Sequence, residues 1–264
     1  HKYKSAPLHS IFTSAAQHVL PGSAESRNKN SYLLVAESDL GQAAAKEKEK
    51  KFYDPVPKKL EGWTIKVDPK LLKKEHKDFK KEVFKSLANH LQRIKYILPE
   101  ERVVELQKLP IWLDYHYEPL SSMQYHPGAT WLRANRHDPR LVKHVHIPRA
   151  KALLSRGQWA KHPYVFLHEL AHAYHDQVLE GGFKNKPVAE AYNKIKKNGS
   201  YDKVLLYTGR TVKHYALTTP MEYFAESTEA YLGMNDFYPF VRAELKEHDP
   251  KMFEIQKKIW GEVK

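Results

Sequence analysis

The stretch Tyr164-Val-Phe-Leu-His-Glu-Leu-Ala-His-Ala-Tyr-His-Asp176 constrains this chain more than any other. Leu167, Leu170, Ala171, Tyr174 and Val178 recur at helical spacing, which predicts a helix with a buried face. Pro163 suits its first position and Gly181-Gly182 its stop. The same helix carries His168, Glu169 and His172. Two histidines four residues apart lie one above the other on a helix face. Their imidazoles can hold one metal ion, with Glu169 beside them to take a proton from water. Burying such groups unpaired is costly, so the helix needs a reason to carry them. The competing explanation is a histidine-rich helix satisfied by hydrogen bonds. With 16 His and 21 Glu in 264 residues, the H-E-x-x-H spacing has a chance expectation of roughly 0.08. The rest of the chain must decide.

A chain of 264 residues can bury a full core. Lys46–Lys51 is a charge run leading into Asp54-Pro55-Val56-Pro57, which reads as a linker. This predicts an N-terminal extension over 1–55 and a main domain over 56–264. There is no cysteine, so neither a disulfide nor a thiolate ligand or nucleophile is available. No apolar run approaches the ~20 residues that span a bilayer. The chain begins at His1 rather than Met, and a removed signal peptide would explain that, so a secreted or periplasmic protein is expected. Net charge is +13, and residues 46–95 hold 16 Lys/Arg against 8 Asp/Glu. Lysines dominate there, acids are interleaved and no nucleic-acid motif accompanies them. We read a solvated helix face, expect no nucleic-acid partner, and expect a monomer.

Along the chain, Trp63–Val67 alternates as a strand. Asp68-Pro69 supplies a cap for a long amphipathic helix whose stripe runs from Leu72 to Leu98. Pro99 ends it, and a short second helix reaches Leu106. Ile111–Tyr115, Ala129–Arg133 and Lys143–Ile147 follow as strands, the last at a sheet edge because Pro148 ends it. His144 and His146 on that strand read as a solvent-facing pair. Ala150–Leu154 and Val188–Lys196 are expected to be helical. Lys203–Tyr207 and Thr211–Tyr215 form a hairpin around Gly209. Met221, Phe224, Ala225, Thr228, Tyr231 and Leu232 then give a clean apolar helical stripe. Glu222, Glu226 and Glu229 run along its margin. Asn235-Asp236 and Asp249-Pro250 read as two more helix starts.

A catalytic zinc usually takes three protein ligands and leaves a fourth place for water. A third histidine six residues past His172 would fall on Val178, so that arrangement fails. His175 lies one turn past His172, but three ligands from one straight helix cannot easily surround an ion. It reads as a core residue or as one that supports a ligand. The acidic margin of the later helix remains. Thr219-x-x-Glu222 is also a capping box with Pro220 at the first helical position, and spacing alone leaves Glu222 and Glu226 both open.

His168-Glu169-x-x-His172, then Tyr215, then Glu222-Tyr-Phe-Ala-Glu226, resembles the catalytic domain of anthrax toxin lethal factor and its gluzincin relatives, such as the secreted Pro-Pro endopeptidases. In that family a tyrosine lies seven residues before the glutamate ligand, within an E-F-F-A-E-like helix. The resemblance implies an α+β, zincin-like fold: a small mixed sheet, an active-site helix and a mostly helical C-terminal part. It implies one zinc ion at His168, His172 and Glu222, Glu169 as general base, Tyr215 as oxyanion donor, and Glu226 holding a ligand from behind. Tyr207 and His214 are the fallbacks for Tyr215. The implied activity is a zinc-dependent endopeptidase acting on a peptide or protein. The alternative is a non-catalytic protein of the same fold that binds through its basic surface.

Overall fold

The computed structural model describes residues 52–263; expectations for residues 1–51 lie outside them. A five-stranded sheet lies early in the described chain. It contains β1 (Val56–Leu60) and β2 (Trp63–Val67), joined by a tight antiparallel turn. Two helices, α1 (Lys77–Ile97) and α2 (Glu100–Gln107), lead to β3 (Ile111–Leu113), which lies parallel to β2. β4 (Gln124–Tyr125) and the short helix α3 (Ala129–Ala134) precede β5 (Val145–Ile147). The strand order is β1-β2-β3-β5-β4, with β3 and β5 parallel and β4 antiparallel to β5. The inner strands β3 and β5 are buried throughout, as expected where parallel strands are covered on both faces.

Three expectations are corrected here. β5 is an inner strand, because β4 pairs along its outer side; His146 is therefore fully buried and His144 nearly so. Residues 129–133 are helical. Ala, Leu and Arg favour helix, and six residues are too few for a period to show; the helix buries Leu132 beside Trp112 and Leu141. The long helix begins at Lys77, after two 3-10 turns and an extended Lys73. Tyr115 anchors that interruption: His76 stacks on its ring at 4.5 Å, and Lys70 lies over it at 4.8 Å.

After α4 (Arg156–Lys161) comes the central helix α5 (Val165–Gln177), where every residue from Phe166 to His175 is buried. A helix buried on all sides sits inside a core rather than on its surface. It is shorter than expected at both ends: Tyr164 is its cap, and it stops at Gln177. The chain then folds back so closely that a Cβ on Gly182, at φ +54°, would lie 2.9 Å from the Asp176 carbonyl oxygen.

α6 (Lys186–Asn198) and a minimal hairpin, β6 (Val204–Leu205) with β7 (Thr211–Val212), lead to α7 (Pro220–Leu232). α7 is started by Pro220 and by the Thr219 hydroxyl, which accepts the Glu222 backbone N–H at 3.1 Å. It lies against α5 and is buried from Tyr223 to Leu232. Gly233, at its end, touches the Tyr164 ring so closely that a Cβ would lie 2.1 Å from Cζ. A side chain at this position would have to displace the Tyr164 ring. α8 (Arg242–His248) and α9 (Pro250–Trp260) complete the chain. No helix starts at Asn235-Asp236; there the backbone bonds to the hairpin, with Tyr207 N–H donating to the Asp236 carbonyl at 2.8 Å. Among the described residues no helix is long and apolar enough to cross a membrane.

Candidate metal centre

α5 presents His168 and His172 on the face that meets the first turn of α7. Their Nε2 atoms stand 3.0 Å apart. Glu222 Oε2 lies 3.1 Å from His168 Nε2 and 3.2 Å from His172 Nε2. The capping-box reading of Glu222 is thus half realised: its N–H is held by Thr219, while its carboxylate meets the two imidazoles. The N-terminus of α7 also favours an anion at that position.

Three ligand-type atoms converge at 3.0–3.2 Å. Donors about 2.1 Å from a common tetrahedral ion would stand roughly 3.4 Å apart. The donor set, two imidazoles and a carboxylate, suits zinc. His168 Nδ1 faces Glu229 Oε1 at 2.7 Å. With a metal bound and its proton kept at Nδ1 by Glu229, His168 would present its Nε2 lone pair to the ion. Glu222 Oε2 can accept from both rings, but the two Nε2 atoms then face each other as donors at 3.0 Å, a contact that a shared ion would relieve. The residues present therefore fit a metal.

Glu169 is 8% exposed and its carboxyl is raised above the usual range by burial, against the pull of His168 and His172. Burial drives His168 down, but Glu222 and Glu229 outweigh it and hold the ring well above the ordinary histidine value. Burial likewise opposes ionisation of Glu222, yet His172 and His168 bring its carboxyl far below normal. The site favours positive charge at its centre.

Tyr215 does not extend a strand as expected; it opens a 3-10 turn, Tyr215–Leu217, after the hairpin. Its hydroxyl donates to Glu222 Oε1 at 3.5 Å, which brings it to the centre. His214 accepts the Ala216 N–H at 3.0 Å and stacks on Phe237 in the core, while Tyr207 is exposed on the hairpin. Neither replaces Tyr215. His175 is buried between Phe183 and Phe224, a core residue.

Glu226 was the carboxylate expected behind a ligand. It is buried, but 3.8 Å from His168 Nδ1, and the bond is made by Glu229 instead. The helical period explains the change. Seven residues on from Glu222 return within about 20° of the same face, four residues only within about 40°. Glu226 lies between His168 and His214, its carboxyl raised well above normal by burial and by Asp236. Glu229 was visible in the sequence as the third acid of that margin. His162, which reaches Glu229 from the turn before α5, carried no signal in any motif.

No protein-family model and no curated protein matches the chain. Among solved structures it is similar to the Pro-Pro endopeptidase PPEP-2 from Paenibacillus alvei, at a TM-score of 0.38 and 22% identity, over 66% of this chain and 89% of that one. The functional reading rests on the geometry of the centre itself.

Proposed function

We propose that this protein is a zinc-dependent endopeptidase. The observation that carries the reading is the triangle of His168 Nε2, His172 Nε2 and Glu222 Oε2, with Glu169 on the same helix. These three residues would hold the ion. When bound, zinc supplies Lewis acidity and makes water a stronger acid. Glu169 accepts the proton of the attacking water at its carboxylate and later gives it to the leaving amine. Its raised proton affinity suits both halves of that task. Tyr215 donates its hydroxyl proton in a hydrogen bond to the oxyanion that develops at the scissile carbonyl. Its present partner, Glu222, lies at 3.5 Å, a bond weak enough to give up.

Glu169→Gln tests the reading. It keeps the shape and removes the base. Cleavage of a peptide library should fall by about 10²- to 10⁴-fold, with zinc still bound one per chain. Full activity in this variant would refute the assignment. One tight zinc with no cleavage of any peptide by the wild-type chain would favour a non-catalytic binding protein of the same fold.

A further inference from the structure

We propose that His162 is a positioning residue: it locks Glu229, and through Glu229 it fixes the ring of His168. The inference rests on the zinc reading of the centre and extends it outward.

Glu229 is fully buried in α7, and both of its carboxylate oxygens are used. Oε1 lies 2.7 Å from His168 Nδ1, and Oε2 lies 2.6 Å from His162 Nε2. The two rings stand almost perpendicular, at 84° with centroids 6.1 Å apart, on either side of the carboxylate. Two arrangements could bring these atoms together. One is a second metal ion held by His162, His168 and Glu229, whose ligand atoms all lie within 4.8 Å of one another. The other is a relay of hydrogen bonds. The lengths decide. Separations of 2.6 and 2.7 Å are those of short, charge-assisted hydrogen bonds. Atoms sharing one tetrahedral ion would stand farther apart, at roughly 3.4 Å.

The relay matters because a carboxylate held at one oxygen can pivot. Without His162, Glu229 Oε2 would be a buried acceptor with its partner gone, and the side chain would turn to find another. His168 would then lose the bond that keeps its proton on Nδ1 and its Nε2 aimed at the centre. Outer partners of this kind typically govern metal affinity by 10- to 100-fold.

His162 itself sits on a turn that holds it still. Its N–H donates to the Gln158 carbonyl at 2.9 Å. Its own carbonyl accepts the Gln158 side-chain amide at 3.2 Å and the Val165 N–H at 3.3 Å. Pro163 follows and restricts its backbone. Ser155 caps α4 at the other end through the Gln158 N–H. A single turn between α4 and α5 thus carries the anchor of His168.

The test is the zinc dissociation constant, measured by chelator competition on the purified chain with no peptide present. His162→Phe keeps a ring and removes the donor; it should weaken zinc binding about tenfold, the low end of the range for such partners. His162→Gln returns an N–H donor and should recover most of the loss, which a purely structural role would not predict. Glu229→Leu should cost 10- to 100-fold, and adding His162→Phe to it should cost nothing more, because the relay is already cut. If the Phe variant fails to fold, His162→Asn, which draws the donor back from Glu229, replaces it with the same expected loss. Unchanged affinity in the folded variant, or additive losses in the double variant, would overturn the proposal. So would two zinc ions per wild-type chain and one in His162→Phe, which would establish a second metal site. A wild-type chain that binds no zinc would remove the zinc reading itself and the relay with it.

Discussion

Two of the buried groups of histidines and carboxylates among the described residues are wired differently. Around α5 and α7, His168, His172 and Glu222 converge, each atom facing the other two. Beneath the strand pair β5–β4 the groups run in series. Trp112 Nε1–H donates to the Tyr53 hydroxyl at 2.7 Å, Tyr53 donates to Asp114, and His146 Nε2 meets the other Asp114 oxygen at 2.6 Å. His126 Nε2 then meets His146 Nδ1 at 3.1 Å. The series pairs each group with a neighbour, whereas in the triangle the two imidazoles face each other as well as Glu222. The proton affinities diverge in the same way. His126 is pushed down to about 3 by burial and by neighbouring histidines, whereas Glu222 and Glu229 hold His168 up despite its burial. One group runs through the core as a chain of pairs, and the other gathers its atoms at one point. Composition does not separate them, since both are imidazoles with carboxylates. Convergence does.

The tyrosines of the two groups give the sharpest contrast. Tyr215→Phe should lower kcat/KM by about 10²- to 10³-fold, the usual cost of one oxyanion donor, with zinc affinity retained. Tyr53→Phe should leave the rate unchanged and cost about 1–3 kcal/mol of stability, because the Trp112 N–H loses its acceptor. Steady-state kinetics and thermal unfolding on both variants check this. Equal rate effects would erase the distinction.

A smaller effect separates buried histidines that bond from one that does not. His175 is fully buried, with no hydrogen-bond partner at either ring nitrogen, and burial lowers it to about 4 from 6.5. The folded state therefore binds its proton less readily than the unfolded state. Its contribution to stability is intact above about 6.5 and is lost as pH falls from there toward 4. Between pH 7 and pH 5 that loss is about 2 kcal/mol. His175→Leu should narrow the gap in unfolding free energy between those two pH values by that amount. An unchanged gap would show that the ring finds a partner or water.

Much of the centre was legible in the sequence because local rules place it. The i, i+4 histidines need only a helix, and Thr219-Pro220-x-Glu222 states both where α7 starts and which residue lies in its first turn. What was not legible depends on contacts between elements. Glu229 rather than Glu226 backs His168 because of how α7 is rotated against α5. His146 reads as an exposed strand residue until β4 is known to cover β5. His162 belongs to no motif, and its role exists only because a turn carries it to the outer oxygen of Glu229. Residues 129–133 read as a strand for a similar reason, since so short a segment is set by the packing of Leu132 on Trp112 and Leu141 rather than by any period.

Zinc stoichiometry tests the contrast between the two groups most directly. The wild-type chain, His172→Ala and His126→Leu should be loaded with zinc, freed of excess and assayed for bound metal. The wild type should hold one ion per chain, His126→Leu should hold one, and His172→Ala should hold none. Zinc lost from His126→Leu but kept by His172→Ala would place the metal in the other group and contradict the account.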